Sequence, residues 1–344
     1  MVANKIILKS LDILKSLRYQ NGLFSASKKD VNTGYNMAWI RDNIYSCIGL
    51  ENFDRELVIQ TYRTMLDIFL KHEKKLDNAI ANPPKNKMDY LHPRYHPLTL
   101  EELEEEWGNK QNDMVGSFLF KISELTQRGF CIIRDENDIR IIQKLVRYLD
   151  AINYYRDCDN GMWEENEEVH SSSVGACVAG LKKVKETEFR INKYKTKIFV
   201  PEELIQKGID TLEVLLPRES VTKKVDMALL SLIWPYNITT KKQAEQILEN
   251  VEKYLVRDKG VIRYVGDKYY YNNGEAEWTM GFPWLAIAYK KTGNIRKYKE
   301  YLAKSLNCQN KIMEMPELYF ARSEKHNQNS PLAWAQSLLI TAIG

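Results

Sequence analysis

No stretch of the chain is apolar for long enough to cross a bilayer or to act as a secretory leader. The N-terminal "MVANKIILKSLDILKSL" comes nearest, but Lys5, Lys9, Asp12 and Lys15 interrupt it and leave the pattern of an amphipathic helix. Charge of one sign is also scarce. The 50 basic and 46 acidic residues are spread along all 344 positions for a formal charge of +4, without the basic stripe that nucleic acid requires. The five cysteines (Cys47, Cys131, Cys158, Cys177 and Cys308) are odd in number and scattered, which suits free thiols in a reducing, cytoplasmic compartment. His92 and His96 stand four apart in "HPRYHP", but the flanking prolines prevent the helix that a His-x-x-x-His metal pair uses. No metal or cofactor is therefore expected. Period-2 alternation and hairpin dipeptides are missing too, which argues against strands.

What the chain has instead is helical periodicity of two kinds. Amphipathic segments with apolar residues at i, i+3, i+4 and i+7 fall near residues 5–17, 54–75, 135–155, 201–216, 239–255 and 294–308. Between them lie six shorter runs that are apolar almost all round, at 43–50, 114–120, 174–181, 227–233, 283–289 and 332–343. A helix without a polar face is buried on every side. Strict alternation of the two kinds predicts an all-α (α/α)6 barrel, six inner helices enclosed by six outer ones. An open solenoid is the competing all-α arrangement, but no repeat motif is shared between the segments.

In such a barrel every loop that enters an inner helix lies at one end. Those loops carry "GYNMAWIRD" (34–42), "WGNKQND" (107–113), "MWEENEEVHSSS" (162–173), "LLPRESVTKKVD" (215–226), "RYVGDKYYYNNGEAEW" (263–278) and "PELYFARSEKHNQNSP" (316–331). Five of the six contain an aromatic residue, and they mix carboxylates with arginine. Rings that stack on C–H faces beside ionic groups that hold hydroxyls are what a sugar site needs. Glycoside hydrolysis further requires two carboxyls across the scissile bond, and the candidate pair is Glu164 and Glu317. Glu164 sits between Trp163 and the acidic Glu165, Glu167 and Glu168, surroundings expected to raise its pKa to that of a general acid. Glu317 shares its loop with Arg322 and Lys325, cations expected to keep it ionised as the base.

At these residues the chain resembles glycoside hydrolase family 15, the glucoamylases, and equally the glucoamylase-like domain of phosphorylase kinase regulatory subunits. "YNMAWIRD" is similar to the family's Tyr-x-x-x-Trp-x-Arg-Asp, which implies that Tyr35 stacks on the terminal glucose beside Trp39 while Arg41 and Asp42 hold its hydroxyls. "WGNKQND" resembles Trp-Gly-x-x-Gln-x-Asp and makes Trp107 a wall of the site. "MWEE" resembles the Trp-Glu-Glu of the general acid, implying Trp163 beside the acid Glu164 and Glu165 on sugar hydroxyls. "RYVGDKY" is similar to Arg-Tyr-x-x-Asp-x-Tyr, which puts Arg263 near the scissile bond, and "MPELY" assigns the base to Glu317.

The resemblance implies an inverting exo-acting hydrolase that takes small α-glucosides or α-glucan oligosaccharides and releases β-glucose. It also implies one catalytic-type domain over residues 1–344, without the β-sandwich that precedes the barrel in many prokaryotic glucoamylases. Leu318 follows Glu317 where many of the hydrolases have glutamine, as in the kinase subunits. "SSSVGACVAGL" and "AWIRDNIYS" also lean toward that version, so a non-catalytic carbohydrate-sensing module stays open as the alternative. Oligomeric state and glucosidic linkage are not legible in the sequence.

Overall fold

The computed structural model describes residues 2–105 and 107–344. The outer helices are α1 (Val2–Leu17), α3 (Arg55–Lys71), α6 (Glu136–Ala151), α8 (Glu202–Leu215), α10 (Lys241–Leu255) and α12 (Ile295–Asn307). Four of them start on a side chain that satisfies their free N–H groups: Asp54 before α3, Asp135 before α6, Thr240 in a capping box with Gln243 before α10, and Asn294 before α12. The inner helices are α2 (Ile40–Ile48), α5 (Asn112–Gln127), α7 (Ser171–Glu186), α9 (Leu230–Ile233, extended backwards by a 3-10 turn over Met227–Leu229), α11 (Gly281–Lys291) and α13 (Ala333–Ile343).

Each inner helix packs on the next, and α13 returns to α2, which closes the ring of an (α/α)6 barrel. Close approach inside the ring depends on small residues. A Cβ added at Gly116 in α5 would lie 2.4 Å from the Ala176 carbonyl carbon in α7, so that crossing admits no side chain there. Helix α13 also packs on α1, where Gln336 Nε2 donates to Ser10 Oγ at 2.6 Å, and on the loop after α1, where the Ala333 N–H donates to the Ala26 carbonyl at 2.8 Å.

All twelve expected helices form, with two departures. The helix expected over 54–75 stops at Lys71 because His72 leaves helical geometry, its ring nitrogen held 2.8 Å from the Leu100 carbonyl. A further helix, α4 (Glu73–Ala81), then begins. Three short antiparallel pairs also appear where no strand was expected. They are β1 (Ala38–Trp39) with β2 (Arg94–Tyr95), β3 (Phe189–Ile191) with β4 (Tyr194–Thr196), and β5 (Glu277–Trp278) with β6 (Leu318–Tyr319). Strands of two or three residues are too short to show an alternation in sequence.

Unlike those four outer helices, α2, α5, α7, α11 and α13 have no side-chain cap. Their N-cap positions hold Trp39, Gln111, His170, Met280 and Leu332, which serve the cavity at this end of the barrel and the loops that support it. Among the described residues no helix is long and apolar enough to cross a membrane.

Candidate active site

The loops enclose a cavity of about 420 Å³. Tyr35, Trp39, Arg41, Asp42, Trp107, Trp163, Glu164, Glu165 and Arg263, the binding and acid candidates, all line it. Glu317 does not. It lies directly behind the lining residues Tyr35 and Tyr269. The 215–226 segment contributes no lining residue either, although its loop was expected at the mouth. It supports the wall from outside: Asp226 Oδ1 accepts from Trp163 Nε1 at 2.7 Å, and Lys223 Nζ donates to Glu165 Oε2 at 2.8 Å.

The four glutamates of "MWEENEEVH" part company in the structure. Glu164 faces the cavity, its Oε1 accepting from Trp39 Nε1 at 2.8 Å and lying 3.4 Å from Arg41 Nη2. Glu165 pairs with Arg263 Nη2 at 2.8 Å as well as with Lys223. Glu167 pairs with Lys87 at 3.0 Å near the surface, and Glu168 accepts from the Thr222 N–H at 3.1 Å. Burial raises the Glu164 pKa, and Arg41 opposes it. The neighbouring glutamates are not among the main causes of the shift, and their carboxylates pair with other partners.

Backbone geometry aims Glu164. Glu164 has φ +62°, a left-handed conformation that costs a non-glycine residue ~1–3 kcal/mol and persists only when its surroundings enforce it. Gly108 is part of that enforcement, since a Cβ there would lie 2.5 Å from the Glu164 carbonyl oxygen. The "WGNKQND" loop thus holds the Glu164 loop from the next side of the barrel, and its Gln111 and Asp113 anchor Arg41.

Arg263 is fixed in a fork by Asp267, with Nε and Nη2 at 2.7 and 2.6 Å from the two carboxylate oxygens. Asp42 is half-buried, and no hydrogen bond among the described residues engages its carboxyl. Desolvation raises its pKa to about 7 against the pull of Arg41, and the charges of Glu164 and Glu317 push the same way. Strand pairing places one more residue at the rim. Arg94 in β2 lies beside Trp39 in β1, its guanidinium 3.8 Å from the Trp107 ring centroid, and donates to Glu105 at 2.6 Å.

Glu317 has no exposed surface. Its Oε1 accepts from Tyr35 and, at 3.2 Å, from Tyr269, while its Oε2 accepts from Asn327 and, at 2.8 Å, from Asn329. Burial raises its pKa and these four donors oppose the rise. The expected role of Arg322 and Lys325 is not what the structure shows. Arg322 is drawn to Glu277 through its backbone N–H, and Lys325 is exposed. Tyr269, Asn327 and Asn329 went unassigned in the sequence, although all three stand inside the loops singled out there.

His92 is buried with its pKa lowered to about 4 by desolvation, and its Nδ1 accepts from the Arg94 N–H. His96 Nδ1 accepts from the Leu98 and Thr99 N–H groups. Neither imidazole is arranged as half of a metal pair.

Comparison with known proteins places the chain in a family and matches its fold. The chain is 26% identical over 371 aligned residues to the alpha regulatory subunit of phosphorylase b kinase, skeletal muscle isoform, of Oryctolagus cuniculus, an alignment covering 88% of this chain. It spans about 30% of the length of that relative. Among solved structures the fold is similar to a wild-type glycosidase, with a TM-score of 0.83 at 18% identity, covering 99% of this chain and 95% of that one. A glutamate-to-alanine glycosidase variant in complex with glucose is similar at a TM-score of 0.79, with 18% identity and the same coverage. The family described as Glycosyl hydrolases family 15 matches residues 1–342, and to that family the chain belongs.

Proposed function

We propose that the chain is an inverting exo-acting glycoside hydrolase that releases β-glucose from the non-reducing end of a small α-glucoside or α-glucan oligosaccharide. One observation carries the reading: a single aromatic cavity is served by two carboxyls in different surroundings. Glu164 is the general acid. Its Oε1 is occupied by Trp39 and Arg41, which leaves Oε2 to carry the proton toward the glycosidic oxygen. Glu317 is the general base, its anion held by four neutral donors.

Tyr35 and the tryptophans give the sugar ring its stacking surfaces. Asp42, without a hydrogen-bond partner among the described residues, is free for hydroxyls, and Arg41, Glu165 and Arg263 present charged groups to the same cavity. The reading takes residues 1–344 as one domain in a cytoplasmic setting, a placement supported by five free cysteines.

A second reading, a carbohydrate-sensing regulatory module, is favoured by the relatives named as kinase regulatory subunits. Glucose release from maltose, isomaltose, trehalose and longer α-glucans separates the two, and NMR of the first-formed anomer tests inversion. Protein that binds glucose or maltose by calorimetry yet releases no glucose from any of these would replace the hydrolase by the sensor.

A further inference from the structure

Arg94 is buried with few hydrogen bonds to hold it. Its carboxylate partner among the described residues is Glu105, whose side chain is 77% exposed, and its Nε has no acceptor among them. A guanidinium taken this far from water normally has several polar partners. Two indoles stand in their place. Antiparallel pairing sets Arg94 opposite Trp39, and its Cζ lies 5.2 Å from the centre of that ring and 3.8 Å from the centre of the Trp107 ring. Trp107 lines the cavity and the buried Arg94 is not among the lining residues, so the arginine covers the indole face turned away from a ligand. Trp107 itself stands between β2 and α5 on a stretch without helix or strand, which leaves the direction of its ring to side-chain contacts such as this one.

The position of Trp107 gives that contact a use. Its ring meets Trp39 at 82° with centroids 5.7 Å apart, and Trp39 Nε1 donates to Glu164. Trp39 is buried, Trp107 half-buried and Glu105 exposed, a gradient that runs from the depth of the site to its mouth. A substrate that enters by its non-reducing end leaves its second ring at the mouth, beside the carboxyl that protonates the leaving oxygen. We propose that Arg94 is a positioning residue that sets the preference for a second sugar ring, by holding Trp107 as the surface on which that ring stacks. The inference rests on the exo-hydrolase reading for the direction in which the substrate lies. Arg94 is suited to the task because its own strand is paired to β1, so the guanidinium is a fixed support for a ring on a loop.

The test compares Arg94→Ala, Arg94→Lys, Trp107→Ala and the Arg94→Ala, Trp107→Ala double variant with the parent chain, with folding followed by circular dichroism. Titration calorimetry in a Glu317→Gln background, where substrate survives, sets glucose against maltose, isomaltose and trehalose. Arg94→Ala is expected to lower the ratio of disaccharide to glucose affinity by about 3–10-fold for the disaccharide that binds best, the scale of one aromatic stacking contact. With Glu317 intact, the ratio of kcat/KM for that disaccharide to kcat/KM for α-glucosyl fluoride, which has no second ring, should fall by the same factor. Arg94→Lys should lower both ratios by at least about threefold, because an ammonium does not replace a planar guanidinium on a ring. Once Trp107 is alanine, Arg94→Ala should lower them no further, since it acts through the indole. Unchanged ratios in a folded Arg94→Ala or Arg94→Lys protein overturn the assignment, as does a loss that recurs in full without Trp107, or a parent chain that binds no disaccharide more tightly than glucose. If Arg94→Ala fails to fold, Arg94→Lys decides. Wild-type protein that cleaves neither an α-glucoside nor the fluoride overturns the hydrolase reading alone, because the affinity ratios do not depend on turnover.

Discussion

The loops that carry Glu164 and Glu317 solve one problem in opposite ways. Glu317 is buried and Glu164 half-buried, and both have their pKa raised by burial. Glu164 sits beside a cation and an indole, whereas every donor to Glu317 is neutral. In the proposed mechanism the acid begins neutral and ends as an anion, which puts Arg41 where negative charge develops. The base begins as an anion and must still want a proton. A cation at hydrogen-bonding distance would weaken it as a base, while phenols and amides stabilise the charge more gently.

Exchange of single side chains is the sharpest way to break this comparison. Glu164→Gln and Glu317→Gln should each lower turnover of natural α-glucosides by ~10²–10⁴-fold. With α-glucosyl fluoride, whose leaving group needs little protonation, only Glu317→Gln should stay slow. Equal losses on the fluoride would mean that acid and base have not been told apart.

Asp42, within the field of both carboxyls, is next in size. Asp42→Ala should weaken glucose binding by ~1.5–3 kcal/mol if the carboxylate holds sugar hydroxyls, and titration calorimetry on folded variant would remove it from the site by finding no change. Its protonation has a consequence for stability as well. The folded pKa of about 7 lies above the ordinary 3.8, so the fold keeps a proton that the unfolded chain has already lost. Stability from this group is therefore full below pH 3.8 and declines as pH rises toward 7. Asp42→Asn should raise Tm at pH 8 and leave it nearly unchanged at pH 4, and the opposite order would contradict the shift.

Gly108→Ala probes how the acid is aimed. Its Cβ would press on the Glu164 carbonyl oxygen, and overpacking of this kind costs ~1–3 kcal/mol in denaturant unfolding. Turnover of disaccharides should fall more than turnover of the fluoride, since the acid loop is what moves. The smallest effect belongs to Glu167, whose partner Lys87 is half exposed. Glu167→Gln should change stability by no more than ~0.5 kcal/mol and leave turnover near wild type. A large loss there would mean that the acidic cluster acts collectively after all.

The barrel was legible because burial on all sides and burial on one side leave different compositions, and those compositions alternate along this chain. The break at His72 was not legible, since it depends on a carbonyl at Leu100, far along the chain. At the site, motif resemblance located the loops but not the facing of their side chains. Nothing local says that Glu165, Glu167 and Glu168 turn to other partners, or that Arg322 and Lys325 stay away from Glu317. Asn327 and Asn329 reach Oε2 through the path of the 316–331 loop, anchored where the Glu317 N–H donates to the Asn329 carbonyl at 2.8 Å. Tyr269 stood within a motif already singled out for Arg263. What concealed it was that a tyrosine among three in a row gives no sign of which one faces inward.

The packing of α13 on α1 and α2 has a consequence during synthesis. Helix α13, which packs on α1, is made more than 300 residues after it. At ~5–20 residues per second α1 waits roughly a quarter of a minute to a minute for this partner, a long exposure for an aggregation-prone stripe. Leu332 and Trp334 arrive with α13 and complete the cavity wall, so the nascent chain gains its site only once α13 has emerged. Glucose release by ribosome-stalled chains that end before Leu332 would contradict this order of events.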